Sequence, residues 1–446
     1  MSFLRSYFGL GAASAPAPAP ASVPDTHEAK PQDPTTQSTG VRALPASWYI
    51  SQEMYDLEKR AIFSKKWLLT THNLRLPKNG DWQRYQITGF HYVICRDQNG
   101  NIKAFHIDQD LKEFDIEKHG MFSIHTQIDK KGFIWINLDG GEKPEISWSE
   151  DLEGCDDQER LDYYDWDCYE YDHTWEMEGE YNWKLLGDNY NECYHCRVSH
   201  PDLRDLTDIN TYVVTPVKSY LMHFGSPTPD MIARGFKIAP TYFFPNSSVN
   251  VSRNFFMMQR FIPTSPRTSI MRYEVYKNKY ATDEAFHEID SLYKRVMTED
   301  KFLALGAQKN IERGVFINGE MHPGMEKGAI WFQTSVRDLV QDHFDREVEA
   351  GRQIWPAQIS MSKIAAQSEE NVHFTPLEAE WLKVAYRVEG YPTSDNVNDA
   401  LKTTSLGGDS PSTNNGPKAN KFNEWIASLR ASESELSWKA VDFAFN

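Results

Sequence analysis

Apolar positions in residues 41–140 follow first a helical and then a strand period. In residues 51–67 the apolar side chains at helical spacing are Met54, Leu57, Ala61, Ile62 and Phe63, which predicts an amphipathic helix. Runs of strand character follow at residues 82–87, 90–95, 102–107, 121–128 and 132–138. Asn99 and Gly100, between the second and third runs, indicate a tight hairpin. The pattern predicts a small β module.

The pattern changes after an acidic, turn-rich link at residues 139–162, where we place a domain boundary. Strand-like segments at residues 242–244, 254–262 and 268–276 precede a long helix over residues 283–307, with Thr282 as its N-cap. An antiparallel sheet that holds a long helix is an α+β architecture. Residues 394–417 are rich in Asn, Ser, Gly and Thr and predict a loose loop before a final helical stretch.

Composition and charge narrow the classes of partner. The 446 residues include 64 acidic and 47 basic side chains, and the formal net charge of -17 disfavours nucleic acid and anionic membrane surfaces as partners. No apolar run approaches the length that spans a membrane. Five cysteines are too few and too scattered for a disulfide framework, which indicates a reducing compartment, with the cytoplasm first.

One segment, residues 182–201, concentrates candidate metal ligands. Asp188, Glu192 and His195 are spaced i, i+4 and i+7, so a continuous helix would place them on one face. His200 lies five residues past His195, and Pro201 disfavours continued helix at that point. We therefore expect the chain to turn at His200 and to bring both imidazoles to one point.

Asp300 is a third candidate ligand by an independent argument. It lies on the apolar stripe of the predicted 283–307 helix, between Val296 and Leu303, whereas Glu299 is expected to point elsewhere. A carboxylate on a buried face is costly unless it is paired, protonated or bound to metal. Two imidazoles and one carboxylate make up the facial triad of Fe(II) oxygenases.

Each of these residues has an alternative interpretation. Two histidines at this spacing are also typical of a hydrogen-bonded structural pair, and a buried Arg295 or Arg313 would answer the charge of Asp300. Cys193 and Cys196 form a C-x-x-C, a pattern that suggests zinc or redox chemistry. No second C-x-x-C exists, and we interpret this pair as packing around the helix.

Several motifs, in this order, resemble the α-subunits of Rieske non-haem iron oxygenases, in the branch similar to choline monooxygenase. The resemblance covers residues 44–391 and rests on Asn182-Trp183-Lys184, Glu192-x-x-His195-x4-His200-Pro201, Tyr242-Phe-Phe-Pro-Asn246, Glu299-Asp300, Gln308 and Gly314-Val315-Phe316. It implies a helix-grip fold for the C-terminal part and a mononuclear Fe(II) held by His195, His200 and Asp300. It also implies that Glu192 bridges to the cluster of a neighbouring subunit and relays electrons.

Four regions are expected on this basis. Residues 1–40 are a disordered lead-in, because Pro, Ala, Ser and Thr dominate residues 12–39; a weak targeting segment is the alternative. Residues 41–70 form an N-terminal helix that packs on the catalytic domain. Residues 71–140 form a reduced Rieske-like β module, and residues 141–446 form the mononuclear iron catalytic domain.

The chain departs from the resembled family where the iron–sulfur cluster would bind. A Rieske [2Fe-2S] cluster needs two Cys and two His, usually as C-x-H followed by C-x-x-H, and no such pair exists in this chain. His106 and His125 are left without cysteines. The chain is accordingly a product that lost the encoding segment, a cluster-less protein with another electron donor, or a pseudoenzyme that binds iron and stabilises an oligomer.

The resemblance implies O2-dependent monooxygenation of a small substrate, with electrons from NAD(P)H through a separate reductase, in a homo-oligomer expected to be a trimer. Choline or another trimethylammonium compound is the substrate that it suggests. Tyr242, Phe243, Phe255 and Phe256 are candidates for a cation–π cage, and strand residues of the core are the alternative for each. The rival function is a non-catalytic iron-binding subunit.

Overall fold

Two large antiparallel sheets and two long helices position the candidate site. The computed structural model describes residues 41–107, 122–205, 208–233 and 237–359, together with 421, 424 and 425. The predicted lead-in, the loop at residues 394–417 and most of the final helical stretch lie outside the described residues. Among the described residues, no helix combines the length and the apolar character that a membrane span requires.

The strands and helices follow one another in a mixed order. The strands are β1 (Val41–Arg42), β2 (Leu68–His72), β3 (Trp82–Ile87), β4 (Phe90–Arg96), β5 (Ile102–His106), β6 (Ser123–Ile128), β7 (Phe133–Asn137), β8 (Tyr169–Gly179), β9 (Asp208–Val217), β10 (Tyr220–Ser226), β11 (Ala239–Phe243), β12 (Ser247–Val251), β13 (Phe255–Ser265), β14 (Thr268–Asn278) and β15 (Glu320–Met321). The helices are α1 (Gln52–Glu58), α2 (Trp148–Asp151), α3 (Trp183–Tyr190), α4 (Cys196–Ser199), α5 (Pro229–Ala233), α6 (Asp283–Glu312) and α7 (Lys327–Ala350).

The predicted β module is an antiparallel sheet with the strand order β2-β7-β6-β5-β4-β3. The five predicted runs correspond to β3 through β7 within a few residues, and β2 was not predicted. The hairpin between β4 and β5 turns at Gly100, whose φ of 85° lies in the left-handed region that glycine adopts without strain. Asp97 closes the turn by accepting hydrogen bonds from the backbone N–H groups of Asn99 and Asn101.

The predicted helix over residues 51–67 is shorter than expected. Ser51 caps α1 by accepting a hydrogen bond from the Met54 N–H, and one π-helical turn, Lys59–Phe63, follows α1 directly. Strand β2 then begins at Leu68, so the residues after the apolar helical stripe belong to the sheet.

The second sheet confirms the α+β, helix-grip prediction. Its strand order is β8-β14-β13-β12-β11-β10-β9, all antiparallel. Helix α6 is 30 residues long and begins at the predicted N-cap, because Thr282 Oγ1 accepts a hydrogen bond from the Ala285 N–H. The acidic residues Asp283 and Glu284 in its first turn suit the positive end of the helix dipole.

Strand β13 is buried on both faces, and this explains why it is almost continuously apolar. Phe255 packs on Tyr293 of α6, with ring centroids 5.2 Å apart. The next residue, Phe256, points the opposite way and lies 5.2 Å from His72 of β2. The second sheet is therefore covered by α6 on one face and by the β module on the other. The division into four domains stays a prediction.

A fully buried ion pair joins the N-terminal helix to the helix that leads into the site. Lys184 Nζ of α3 lies 2.6 Å from Glu58 Oε1 of α1, and both side chains are 0% exposed. The adjacent Trp183 Nε1 donates to the other carboxylate oxygen of Glu58 at 2.8 Å. Burial raises the pKa of Glu58, and the Lys184 ammonium opposes that shift.

Breaking this pair from one side should destabilise the fold. In Lys184→Met the Glu58 carboxylate stays buried without its counter-charge, so we expect the free energy of unfolding to fall by about 3–5 kcal/mol. Urea unfolding followed by tryptophan fluorescence measures the change. The matched control is Glu58→Gln/Lys184→Met, which removes both charges and should recover most of the loss. A single variant as stable as the unmodified protein contradicts the assignment.

Candidate metal centre

The segment that contains both histidines is not one helix. Helix α3 ends at Tyr190, and the Asn191 side chain closes it by donating from Nδ2 to the Gly187 carbonyl oxygen at 2.8 Å. The N-terminus of α7 occupies the space beyond, since a Cβ on Gly328 would lie 2.0 Å from the Asn191 carbonyl oxygen. The prediction that Asp188, Glu192 and His195 share one face of a continuous helix is therefore wrong.

Asp188 lies in a separate buried network. Its Oδ2 accepts a hydrogen bond from the Tyr49 hydroxyl at 2.7 Å, and its Oδ1 accepts one from Gln333 Nε2 at 2.8 Å. Burial raises the pKa of Asp188 to about 6, against the effect of these hydrogen bonds. Asp188 thus ties α3 to the N-terminal segment and to α7.

The structure brings together His195, His200 and Asp300. Asp300 Oδ1 lies 3.5 Å from His195 Nε2 and 3.0 Å from His200 Nε2. The chain leaves the helical conformation at His200, whose φ and ψ are -122° and 79°, as Pro201 predicted. Asp300 is 8% exposed, which confirms that it lies on the buried stripe of α6. Both imidazoles face one carboxylate oxygen.

A second carboxylate holds the outer nitrogen of each imidazole. Glu192 accepts a hydrogen bond from His195 Nδ1, and Glu299 accepts one from His200 Nδ1 at 2.7 Å. The expectation that Glu299 points away from the site is wrong, because His200 reaches past the buried stripe to the side of α6 that carries Glu299. With both Nδ1 atoms occupied, the two Nε2 atoms are left for the centre of the site.

Asn189 is a site residue that sequence reasoning missed. Its Nδ2 donates to Asp300 Oδ1 at 2.7 Å, from the last turn of α3. The alternative partner Arg295 pairs instead with Asp202, with 2.7 Å between Nε and Oδ2. A signal for Asn189 was available, since it follows Asp188 in the same polar segment, but a neutral amide carries no charge to suggest a partner.

Electrostatics favour a cation at this point. Burial lowers the pKa of His195, but the hydrogen bonds and charges of Asp300 and Glu192 outweigh that effect and raise it to about 9. Burial likewise acts to raise the pKa of Asp300, and the two imidazoles hold it below its ordinary value. Three carboxylates surround two imidazoles, so the cluster keeps a net negative charge even when both histidines are protonated.

The two neighbouring cysteines are joined. Cys193 and Cys196 form a disulfide, with 5.0 Å between their Cα atoms, where the sequence predicted packing around a helix. The chain turn that replaces the expected helix brings the two residues together. Within the described ranges, one group of His, Cys and acidic side chains has ligand atoms close enough to hold a metal: His195, Cys196 and His200. Because the Cys196 sulfur is bonded to Cys193, it has no thiolate to offer a metal.

The described cysteines and histidines outside the candidate site do not form a binding site for a Rieske cluster. Of the cysteines outside the disulfide, Cys95 and Cys155 are buried and Cys168 is partly buried. His106 and His125 lie on the neighbouring strands β5 and β6, and no described group of metal-ligand atoms includes either of them.

A cavity of about 180 Å³ opens beside the histidines. Four aromatic side chains line it: Tyr190, Tyr212, Phe224 and Tyr293. No Lys or Arg is among the described residues that line it, whereas Glu192 and Asp300 are.

The proposed cage residues are elsewhere, in the core. They are 0–4% exposed, and none of the four lines the cavity: Tyr242, Phe243, Phe255 and Phe256. The cage prediction is wrong for these residues, because their strand positions point into the packed interior between the sheets and helices.

Comparisons with known proteins show which proteins this chain is similar to. Residues 166–234 and 240–342 match the family described as ring hydroxylating alpha subunit (catalytic domain). The carnitine monooxygenase oxygenase subunit of Acinetobacter baumannii is 22% identical over 383 residues, which cover 70% of this chain and 99% of the relative. The chloroplastic choline monooxygenase of Beta vulgaris is 21% identical over 369 residues, 71% of this chain and 80% of that protein.

A solved structure shares the fold. The crystal structure of the quaternary ammonium Rieske monooxygenase CntA in complex with an inhibitor has a TM-score of 0.59 at 20% identity, and the match covers 67% of this chain and 96% of that chain.

The disulfide beside the histidines can be tested by counting thiols. Protein unfolded without reductant should be alkylated by iodoacetamide at Cys95, Cys155 and Cys168 alone, and at all five cysteines after reduction, because a disulfide does not react. Intact-mass and peptide mass spectrometry give the counts. In the control variant Cys196→Ser, all four remaining cysteines should react without reduction. Alkylation of all five cysteines before reduction would refute the bridge.

Proposed function

Because residues 166–234 and 240–342 belong to the catalytic-domain family of ring-hydroxylating α subunits, we propose that this chain is a non-haem iron monooxygenase whose Fe(II) is held by His195, His200 and Asp300. The chain is an oxidoreductase by its homologues, which are oxygenase subunits of monooxygenases. One observation carries the assignment of the site. Two imidazole Nε2 atoms converge on Asp300 Oδ1, while their outer nitrogens are held by Glu192 and Glu299.

The residues present fit a divalent iron. When bound, Fe(II) supplies one-electron chemistry with dioxygen at the coordination positions that two histidines and one carboxylate leave open. Glu192 keeps the His195 Nδ1 proton on the outer nitrogen and so fixes the tautomer that presents Nε2. Asn189 holds the Asp300 carboxylate in place by donating to its Oδ1. Glu192 and Asn189 are positioning residues and do not react.

The cavity supports a small quaternary ammonium compound as substrate. Aromatic faces attract a trimethylammonium group, and an acidic, lysine- and arginine-free lining among the described residues does not repel one. The relatives named above act on carnitine and choline. We take Tyr190, Tyr212 and Tyr293 as the binding residues in place of the four that the sequence suggested, because the Phe224 ring already lies 4.8 Å from the guanidinium of Arg160.

The proposal also includes a source of electrons and an assembly. A reductase that uses NAD(P)H is the proposed donor, and a homo-oligomer is the proposed assembly. No step is routed through a [2Fe-2S] cluster, because the chain has no C-x-x-H and the described cysteines do not surround a site for one. The same observation favours a second candidate function, an iron-binding subunit without turnover. Consumption of O2 with substrate and a reductant distinguishes the two.

Iron content tests the proposed ligands. We expect about one Fe(II) per chain after anaerobic loading, and loss of that iron in His195→Ala and in Asp300→Asn, because two of three ligands do not hold the ion. Metal analysis after desalting gives the stoichiometry.

The control for this experiment is Asp290→Asn. Asp290 is also a buried acid of α6, but it pairs with Lys294 at 2.8 Å, so its replacement should leave the iron in place. Unchanged iron in both ligand variants would show that the assignment is wrong.

A Glu192 variant tests whether this carboxylate relays electrons to the iron. The sequence has no pair of cluster-binding motifs that would supply those electrons. We expect Glu192→Gln to keep nearly all of its iron, because a Gln side chain still accepts a hydrogen bond from His195 Nδ1. With a reductase, the unmodified chain should show little coupled turnover. Hydrogen peroxide supplies both the oxygen atom and the electrons, and the substrate becomes a hydroxylated product while peroxide becomes water. Slow product formation with peroxide is therefore expected in both forms.

Product analysis by mass spectrometry, with O2 and peroxide consumption, gives the measurement. Fast reductase-driven turnover that collapses in Glu192→Gln would overturn this expectation, because it would show a working relay through the carboxylate.

A further inference from the structure

Two polar side chains form part of the sheet wall of the cavity. His223 lies on β10 and Asn250 lies on β12, and both line the cavity together with Pro240 of β11, the strand between them. Asn250 pairs directly with Pro240 in the antiparallel register. Residues paired directly across a sheet share a face, so Pro240 and Asn250 present their side chains to the same cavity that His223 lines.

Each of the two side chains has one polar atom with a partner and one without. The Tyr212 hydroxyl is hydrogen-bonded to His223 Nδ1 at 2.7 Å, and the Tyr190 hydroxyl donates to Asn250 Oδ1 at 3.2 Å. His223 Nε2 and Asn250 Nδ2 are buried and have no hydrogen-bond partner among the described residues. His223 is 4% exposed and Asn250 is 3% exposed.

A buried donor without a hydrogen-bond partner is costly, and native proteins keep few of them. Two such atoms on residues that line the same cavity indicate a ligand group that would satisfy them. The amide Nδ2 of Asn250 is a donor by its chemistry. We assign His223 the tautomer in which Nδ1 accepts from the Tyr212 phenol and the proton lies on Nε2, and in this tautomer Nε2 is a donor as well.

We propose that His223 Nε2 and Asn250 Nδ2 donate hydrogen bonds to an oxygen group of the substrate, and that these two residues select oxygen-bearing molecules over alkyl analogues of the same shape. This inference rests on the proposed function, in which the same cavity holds the substrate. The shared chemistry is an oxygen acceptor, either a hydroxyl or a carboxylate.

The positive charge near His223 favours an oxygen atom as the bound group. Burial, and the nearby positive charge of Arg160, lower the pKa of His223 to about 3, so the imidazole is neutral. Arg160 donates to the backbone oxygens of His223 and Pro240, at 2.7 and 2.8 Å, and its guanidinium lies 4.8 Å from the ring centroid of Phe224. Its positive charge therefore stands next to the wall without lining the cavity, and it favours an electron-rich group there.

Binding measurements on the full chain test the proposal without requiring turnover. The protein is loaded with Fe(II) under argon, and calorimetry gives the Kd of three probes: choline, glycine betaine and propyltrimethylammonium, in which a methyl group replaces the hydroxyl of choline. We expect at least one oxygen-bearing probe to bind about tenfold or more tightly than the alkyl probe. If choline binds more tightly than the alkyl probe, the recognised group is a hydroxyl, and if glycine betaine does, it is a carboxylate.

The variants locate the preference. His223→Phe and Asn250→Leu should each reduce the ratio of Kd values to about threefold or less, whereas His223→Gln, whose amide N–H can take the place of Nε2–H, should retain part of it. The matched control is His343→Phe. His343 is also a buried histidine with one unpartnered ring nitrogen, but it lies on α7 and does not line the cavity, so the ratio should not change.

Thermal unfolding and iron content of each variant show whether the fold and the metal site are intact. A wild-type chain without oxygen preference, or without saturable binding of any probe, overturns the proposal, as does a preference that survives in both His223→Phe and Asn250→Leu. If the chain consumes O2 with substrate but His223→Phe and Asn250→Leu keep the same ratio of Kd values, this inference alone is refuted. Collapse of the preference in a chain that never consumes O2 refutes the monooxygenase proposal alone.

Discussion

Asp300 lies in the middle of the long helix α6, and its carboxylate is buried. The candidate site is arranged around the polar groups that contact this carboxylate. A carboxylate taken out of water is costly unless hydrogen-bond donors or cations replace the water. Here the partners come from three separate points of the segment that precedes β9: Asn189 at the end of α3, His195 after the turn, and His200 at the end of α4. Satisfying one buried charge thus brings the end of α3, the turn and α4 to a single point on α6.

That convergence depends on rigid support behind each donor. The Glu58–Lys184 pair fixes the start of α3, and the network of Asp188 with Tyr49 and Gln333 fixes its last turn. Glu192 and Glu299 then set the ring orientations, since an imidazole held at Nδ1 can present Nε2 in one direction only. A cation at the centre would offset much of this negative charge, and the proposed Fe(II) would supply it.

The cavity beside the centre has two kinds of wall. Aromatic side chains form one part, and a rung of the sheet with polar side chains, His223 and Asn250, forms another. A molecule with a cationic apolar end and an oxygen-bearing end matches both parts, whereas a hydrocarbon leaves the polar rung unsatisfied. The selectivity of the site is therefore expected to depend on strands β10 and β12 as much as on the metal ligands.

Local sequence determined the elements whose signals are local. The strand-like runs predicted β3 through β7, and the apolar stripe of residues 283–307 with its Thr282 cap predicted α6 and the burial of Asp300. Pro201 predicted the turn at His200, because a proline restricts the residue before it whatever the surroundings. The resemblance to a family rested on the same motifs and led to the correct fold class.

Only the tertiary structure decided the contacts that depend on residues distant in sequence. Helix α3 stops at Tyr190 because α7, more than a hundred residues later, occupies the space beyond it, and no local signal near Asn191 reports that. Glu299 meets His200, and aromatic residues such as Phe255 enter the core instead of the cavity, because strand register and helix packing choose which neighbours a side chain meets. The periodicity of a sequence specifies which face of an element is buried, but the partner on that face is set by how the elements pack.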